Sequence, residues 1–149
     1  MSTQTPTEQT LMDGFRSACE KLGLKVTHQR MEIFRAVASS AEHPDAETVH
    51  RAVRKSMPTI SLDTVYRNLK LLASNGIISV VGMSDERARF DAKMDPHHHF
   101  VCIRCGTILD FKSNGLAALD MPAEAAVFGT PLSLQLEVKG VCRACSEKD

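Results

Sequence analysis

The sequence has no apolar stretch approaching the roughly 20 residues that a membrane-spanning helix needs, which argues against a helical membrane protein. Its N-terminal segment, MSTQTPTEQT, is polar and has no apolar core of the kind found in export signals, so we expect a cytoplasmic protein. There is no internal repeat and no low-complexity tract beyond three consecutive histidines. With 149 residues, 43% of them hydrophobic, the chain can form one good core or two small ones.

The sequence also has no net charge, because 18 basic residues are balanced by 18 acidic ones. Residues 1–90 carry a small basic excess, and residues 91–149 carry a small acidic excess. A field this weak excludes nucleic-acid binding through overall charge. Any contact with DNA must therefore come from a local basic face.

The first half has the pattern of four helices followed by a hairpin. Helical periodicity begins at about Leu11 and ends at Leu22, and three later positions have residues typical of helix N-caps. These N-cap residues are Thr27, Asp45 and Ser61. Two β-like runs, 77–82 and 87–92, are joined by a polar turn at 83–86. This is the order of a winged helix-turn-helix, although a small α+β core without a ligand fits the same pattern.

The fourth helix has a polar face that we expect to meet DNA. Tyr66 can pack on a thymine methyl group, and Arg67 can reach a guanine edge or a phosphate. Because Tyr66 borders the apolar stripe of the helix, a position facing the core is the alternative for this residue. The candidate DNA-binding residues are Ser61, Thr64, Tyr66, Arg67 and Asn68.

The second half contains two Cys-x-x-Cys pairs, Cys102 with Cys105 and Cys142 with Cys145, separated by 36 residues. In a chain without an export signal, such pairs indicate metal ligation rather than disulfides. Four thiolates form a closed tetrahedral shell that selects zinc. A redox dithiol and an Fe–S site are the alternatives. Cys19, alone in the first helix, is interpreted as a small buried hydrophobe rather than a reactive thiol.

The spacing between the cysteine pairs predicts a strand-helix-strand unit. We expect strands at 97–102, 107–111 and 132–138, with a short helix over about 115–127. The change in pattern after the hairpin divides the chain into two domains, residues 1–90 and residues 91–149.

A second group of donors contains only nitrogen and oxygen. On a strand alternate side chains share a face, so His97 and His99 point together while His98 points away. Asp91 ends the hairpin and Asp110 ends the neighbouring strand. Such a set suits Fe²⁺, Mn²⁺ or Zn²⁺. A solvated run of surface histidines is the alternative. The candidate ligands are His43, Asp91, His97, His99 and Asp110.

These motifs together are similar to the ferric uptake regulator family of bacterial repressors. The resemblance is carried by Thr27-His28-Gln29-Arg30, His43-Pro44, SLDTVYRNL at 61–69, Arg89-Phe90-Asp91, HHHFVCIRC at 97–105, Asp110-Phe111 and GVCRAC at 140–145. It implies an α+β protein with an N-terminal winged helix-turn-helix domain and a small C-terminal α/β dimerisation domain with a four-cysteine zinc site. The family also implies a homodimer that binds palindromic operator DNA when loaded with metal.

The resemblance further implies that the cysteines hold a structural zinc and that the nitrogen and oxygen donors form a regulatory site. The aspartates at 91 and 110 resemble the peroxide-sensing branch, because iron-sensing members tend to have glutamate there. Two departures are Thr-His-Gln-Arg in place of the family's Thr-Pro-Gln-Arg, and a segment 132–138 without the histidine that iron-sensing relatives often have.

In the peroxide-sensing branch, five protein ligands leave one position open on Fe²⁺. The resemblance implies that peroxide reacts there and that a ligating imidazole, His43 or His97, is oxidised, whereas Mn²⁺ supports DNA binding without this chemistry. An iron-responsive or zinc-responsive repressor is the alternative.

Two other classes of protein are less well supported. A metal-dependent hydrolase is the distant alternative, but no candidate general base stands apart from the metal ligands. A zinc-dependent assembly module would not explain the fourth helix and the hairpin. We therefore expect no enzymatic activity, no small-molecule substrate and no membrane partner.

Overall fold

The computed structural model describes residues 7–40, 42–81, 88–92, 97–113, 121–131 and 134–148. The chain forms two compact units. The first contains Met1–Val80 and Arg89–Ala92, and the second contains Val81–Ala88 and Lys93–Asp149. The domain border expected between residues 90 and 91 falls inside a strand that stays with the first unit.

Four helices build most of the first unit. They are α1 (Glu8–Leu22), α2 (His28–Ala38), α3 (Ala46–Val53) and α4 (Leu62–Ser74). Each is preceded by an N-cap side chain that accepts a hydrogen bond from the backbone N–H three residues later. The predicted caps at Thr27, Asp45 and Ser61 are confirmed. The start predicted for α1 was three residues late, because the cap at Thr7 was missed.

The core of the first unit is built from the apolar faces of these helices. Phe15 of α1 stacks on Phe34 of α2 with ring centroids 4.6 Å apart, and both rings are fully buried. Cys19 is also fully buried, which confirms its interpretation as a small hydrophobe. Burial raises the pKa of its thiol, against a smaller opposing effect of Arg30.

Strands β1 (Ser79–Val81) and β2 (Arg89–Asp91) pair as a two-stranded sheet. Both are shorter than the runs predicted from the sequence. The turn predicted at 83–86 lies outside the described residues. Four capped helices followed by this sheet confirm the α+β class and the order expected of a winged helix-turn-helix.

The second unit contains a three-stranded sheet with strand order β4-β3-β5. Strand β3 (His98–Cys102) runs antiparallel to β4 (Ile108–Phe111) and parallel to β5 (Glu137–Gly140). Val101 of β3 and Ile108 of β4 are buried together with Val81. Among the described residues, no helix has the length and apolar character needed to cross a membrane.

The segment after β4 departs from the sequence prediction. A 3-10 helix at Ala123–Val127 occupies the end of the expected helix, whose first residues fall mostly outside the described part of the chain. The strand predicted at 132–138 was placed too early, because β5 pairs with β3 as far as Gly140. A Cβ at Gly140 would lie 2.9 Å from the Phe100 ring, so a side chain at this position would force the ring to move. A single-turn helix, α5 (Arg143–Ser146), follows.

Candidate metal centres and DNA-facing helix

The four cysteines of the second unit form one cluster. Cys102 ends β3, and Cys105 follows in the next turn. Cys142 is the N-cap residue of α5, and Cys145 lies within this helix. Their Sγ atoms all lie within 4.8 Å of one another, and all four are free thiols. Four sulfur donors on two tight turns fit a closed tetrahedral zinc site.

Backbone hydrogen bonds prepare one of these sulfurs for metal binding. The backbone N–H groups of Cys105 and Cys142 donate to Cys102 Sγ at 3.5 and 3.3 Å. These donors stabilise the thiolate and lower the pKa of Cys102 to about 6. The pKa of Cys145 is raised to about 12, first by hydrogen bonding with the thiol of Cys142 and then with that of Cys105. At neutral pH the cluster therefore contains a thiolate before any ion arrives.

In the second unit, the three consecutive histidines at the start of β3 point to two faces of the sheet. The rings of His97 and His99 lie 4.7 Å apart between centroids, and His99 is 1% exposed. His99 pairs with Asp110 across the antiparallel register, with 3.5 Å between Nε2 and Oδ1. On the other face, His98 lies 5.7 Å from the Phe111 ring between centroids. The alternation expected from the sequence is confirmed.

The three histidines are buried rather than solvated. His97, His98 and His99 are between 1 and 7% exposed, so the alternative of a surface run is wrong. The Nδ1 atom of His98 accepts a hydrogen bond from the backbone N–H of Leu136 at 3.2 Å. His98 therefore has a packing role, while the buried His99 forms an imidazole–carboxylate pair with the half-buried Asp110.

The first unit contains a second pair of the same chemistry. His43 Nε2 lies 3.6 Å from Asp91 Oδ2, and both side chains are about 5% exposed. His43 lies in the loop before α3, and Asp91 ends β2. Imidazole and carboxylate are donors that suit Fe²⁺, Mn²⁺ and Zn²⁺ better than they suit the soft metals of thiolate sites. Each unit thus offers an imidazole–carboxylate pair that is chemically unlike the cysteine cluster.

Helix α4 presents two of its predicted DNA-binding residues to solvent. Tyr66 is 49% exposed, so the alternative of a position facing the core is wrong. Arg67 is also exposed, and its guanidinium lies 2.9 Å from Asp63 one turn earlier. Exposed pairs of this kind contribute little to stability, so the arginine can exchange its partner for DNA at small cost. Ser61 and Thr64 are joined by a 2.9 Å hydrogen bond at the start of the helix.

Asn68, by contrast, has both ends of its amide engaged within the protein. Its Oδ1 accepts a hydrogen bond from Arg30 Nε at 3.2 Å, and its Nδ2 donates to the carbonyl of Thr64 at 2.9 Å. Arg30 also donates to the carbonyl of Lys25 at 2.6 Å. Sequence reasoning missed this tie between α2 and α4, because periodicity within one helix does not report a partner 38 residues away. Asn68 thus anchors α4.

Comparison with known proteins gives one consistent set of matches. A model of the ferric uptake regulator family matches residues 21–129. The peroxide operon regulator of Bacillus subtilis is 34% identical over 131 residues, covering 87% of this chain and 90% of the relative. Among solved structures, the Helicobacter pylori ferric uptake regulator aligns with a TM-score of 0.69 at 25% identity, covering 98% and 97% of the two chains. A zinc uptake regulator in complex with zinc and DNA aligns with a TM-score of 0.64 at 25% identity, covering 97% and 98%.

Proposed function

The chain belongs to the ferric uptake regulator family, and on that basis we propose that it is a metal-dependent transcriptional repressor that responds to peroxide. The relatives support the response, since those from Bacillus subtilis and Staphylococcus epidermidis are named a peroxide operon regulator and a peroxide-responsive repressor. The observation that carries the proposal is the presence of two chemically different donor groups. One is a cluster of four thiols, and the other consists of two imidazole–carboxylate pairs with aspartate in both.

Zinc bound by the four cysteines has a structural role in this proposal. The residues are Cys102, Cys105, Cys142 and Cys145. Their closed shell leaves no position for a substrate or an effector. Because the thiols come from β3, the turn after it and α5, a bound ion fastens the two ends of the second unit together and contributes folding free energy.

The regulatory ion is bound by residues from both units. The ligands are His43, Asp91, His97, His99 and Asp110. The burial of His43, Asp91 and His99 and the hard donor atoms of both pairs support this assignment. An ion held by ligands from both units restricts the angle between them, so it favours one arrangement of the DNA-binding unit. DNA that prefers the same arrangement gains affinity by linkage.

The peroxide response depends on the imidazoles. With Fe²⁺ in place, the site would supply the electron that cleaves the O–O bond of peroxide, so that one oxygen would pass to a ligating imidazole and the other would leave as water. Mn²⁺ would not supply this chemistry. His43 and His97 hold the ion and are the side chains at risk, and an imidazole with an added oxygen is a poorer donor. The loss of one ligand lowers the affinity of the site for the regulatory ion, and the DNA-binding unit is then no longer constrained.

The repressor binds operator DNA, and the first unit supplies the surface that reads it. Helix α4 enters the major groove with Tyr66 and Arg67 on its exposed face, and Ser61 and Thr64 lie at its start. Asn68 is the predicted DNA contact that this arrangement supports least, because its amide already binds Arg30 and Thr64.

The second unit forms the interface of a homodimer. Its exposed apolar side chains support this, notably Phe128 at 91% and Val127 at 82% exposed, together with Leu136 and Val138 near β5. A homodimer places two copies of α4 on successive major grooves of a palindromic operator. Sedimentation should give twice the monomer mass for the zinc-loaded protein, and Phe128→Asp should reduce it. A monomeric protein would contradict this part of the proposal.

The test of the peroxide response is chemical. The zinc-loaded protein is loaded with Fe²⁺, exposed to dilute peroxide and digested, and the peptides containing His43 and His97 are weighed. We expect one added oxygen on one of them, together with release of the operator. The Mn²⁺-loaded protein is the control and should keep both its mass and its DNA. Release of DNA without modification would favour an iron-responsive repressor instead.

A further inference from the structure

His43 adopts a backbone conformation that its own sequence disfavours. Its φ angle is 52°, the one positive value recorded for a non-glycine residue in the described part of the chain. A Cβ crowds the backbone in this left-handed region. The proline that follows, Pro44, biases the preceding residue towards extended backbone. Interactions beyond the local sequence must therefore stabilise this geometry.

Arg89 supplies those interactions. Its Nε donates to the carbonyl of His43 at 2.6 Å, and its Nη2 donates to the carbonyl of Glu42. The guanidinium therefore binds both carbonyl groups that flank the N–Cα bond of His43, which is the bond that φ describes. A planar fork of N–H donors is suited to two neighbouring acceptors, which a single ammonium group is not.

The same strand holds the loop and the carboxylate together. Arg89 and Asp91 are two residues apart on β2, so their side chains share a face, while Phe90 between them is buried on the other. The backbone N–H of Phe90 donates to the carbonyl of Pro44 at 3.0 Å. Strand β2 therefore holds the loop that contains His43 through Arg89, and it places Asp91 opposite the His43 imidazole.

We propose that Arg89 is the positioning residue of the regulatory site: it holds His43 in the left-handed conformation that brings Nε2 of its imidazole to Asp91. This inference rests on the proposed function, because it takes His43 and Asp91 as metal ligands. Arg89 is not one of the proposed ligands. It acts by fixing the ligand's backbone before the ion binds, so its removal lowers metal affinity by letting the loop relax.

The test compares Mn²⁺ affinity in the full-length, zinc-loaded protein by competition with a chelator. Arg89→Met keeps the aliphatic stem and removes the donors, and we expect it to bind Mn²⁺ about 10–100-fold more weakly, the range found when a residue supporting a ligand is lost. Arg89→Lys should give an intermediate loss. Arg51→Met removes an exposed arginine of the same unit and should bind Mn²⁺ with native affinity.

A second measurement needs no regulatory metal. In the zinc-loaded protein without Mn²⁺, amide hydrogen exchange at Phe90 reports whether the loop stays on β2, and exchange at Val65 in α4 reports the stability of the whole unit. Arg89→Met should exchange at least roughly tenfold faster at Phe90 and unchanged at Val65. Equal acceleration at both amides would mean that Arg89 only stabilises the fold, which would overturn the proposal.

Native Mn²⁺ affinity in Arg89→Met would also overturn it, provided that His43→Ala loses Mn²⁺ binding in the same assay. If His43→Ala binds Mn²⁺ as well as the native protein does, the proposed metal site is wrong, and exchange at Phe90 alone decides the role of Arg89. If Arg89→Met does not fold, the same comparisons are made with Arg89→Lys.

Discussion

Replacing two adjacent histidines one at a time should have opposite consequences, because β3 turns their side chains to opposite faces. His99 pairs with Asp110 and is proposed as a ligand, whereas His98 contacts Phe111 and accepts a hydrogen bond from Leu136. We expect His99→Ala to remove the response to regulatory metal and His98→Ala to remove mainly stability. The two variants share residue type, strand and burial, so each is the matched control of the other.

The magnitudes follow from these contacts. His98→Ala loses one hydrogen bond, worth about 1 kcal/mol, and one ring contact, worth about 0.5–1.5 kcal/mol, so the free energy of unfolding should fall by about 2 kcal/mol. Its Mn²⁺ affinity should change by less than about threefold, or roughly 0.7 kcal/mol. His99→Ala loses a direct ligand and should exceed the roughly 100-fold loss typical of supporting residues, which is more than about 2.7 kcal/mol.

The assays are urea unfolding of the zinc-loaded protein and Mn²⁺ binding by competition with a chelator. The crossed pattern is what matters: one variant is less stable with native metal affinity, and the other does not bind the regulatory metal. Equal losses of Mn²⁺ affinity in the two variants would refute the assignment of ligands by strand face. Native affinity in His99→Ala would remove this residue from the site.

Three further predictions concern other parts of the molecule. Zinc binding above pH 7 should release fewer than four protons, because Cys102 is already a thiolate, and the number released should rise as the pH falls through about 6. Calorimetry in buffers of different ionisation enthalpy measures this number. The release of four protons at about pH 7.5 would contradict the prediction. Arg67→Ala should weaken operator binding by about 1–3 kcal/mol with almost no change in stability. Asn68→Ala should lower the unfolding free energy by about 1–2 kcal/mol, because Asn68 loses Arg30 as a hydrogen-bond partner. Equal stability of the two variants would be evidence against the anchoring role of Asn68. Phe34→Ala should lower the unfolding free energy by about 3–5 kcal/mol in denaturant titrations, and a loss below about 1 kcal/mol would contradict the packing described for Phe15 and Phe34.

Features governed by local chemistry were predictable from the sequence. An N-cap at Thr27, Asp45 or Ser61 depends on a side chain and a backbone N–H three residues apart, and all three are present. The pairing of His99 with Asp110 follows from strand alternation and a short antiparallel connection. The departure from the family's proline at position 28 has no visible cost, because Thr27 still caps α2.

Features that join distant segments were not predictable. Arg89 binds carbonyls 46 and 47 residues earlier, and Arg30 binds a side chain 38 residues later. Neither contact follows the periodicity of a helix or a strand, because both contacts depend on how these elements pack together. The predicted position of β5 was wrong for a related reason. The ends of this strand are set by its pairing with β3, which apolar character alone does not reveal. The positive φ of His43 belongs to the same class, since His43-Pro44 in isolation favours extended backbone.

In the proposed function, regulatory metal controls operator affinity. Reciprocal linkage tests it most directly: operator affinity is measured with and without Mn²⁺, and Mn²⁺ affinity is measured with and without operator, in the zinc-loaded native protein and in Asp110→Ala. In the native protein, Mn²⁺ should raise operator affinity and operator should raise Mn²⁺ affinity by the same factor, of at least about tenfold. In Asp110→Ala this factor should fall to one. Operator affinity that is independent of Mn²⁺ in the native protein would contradict the claim.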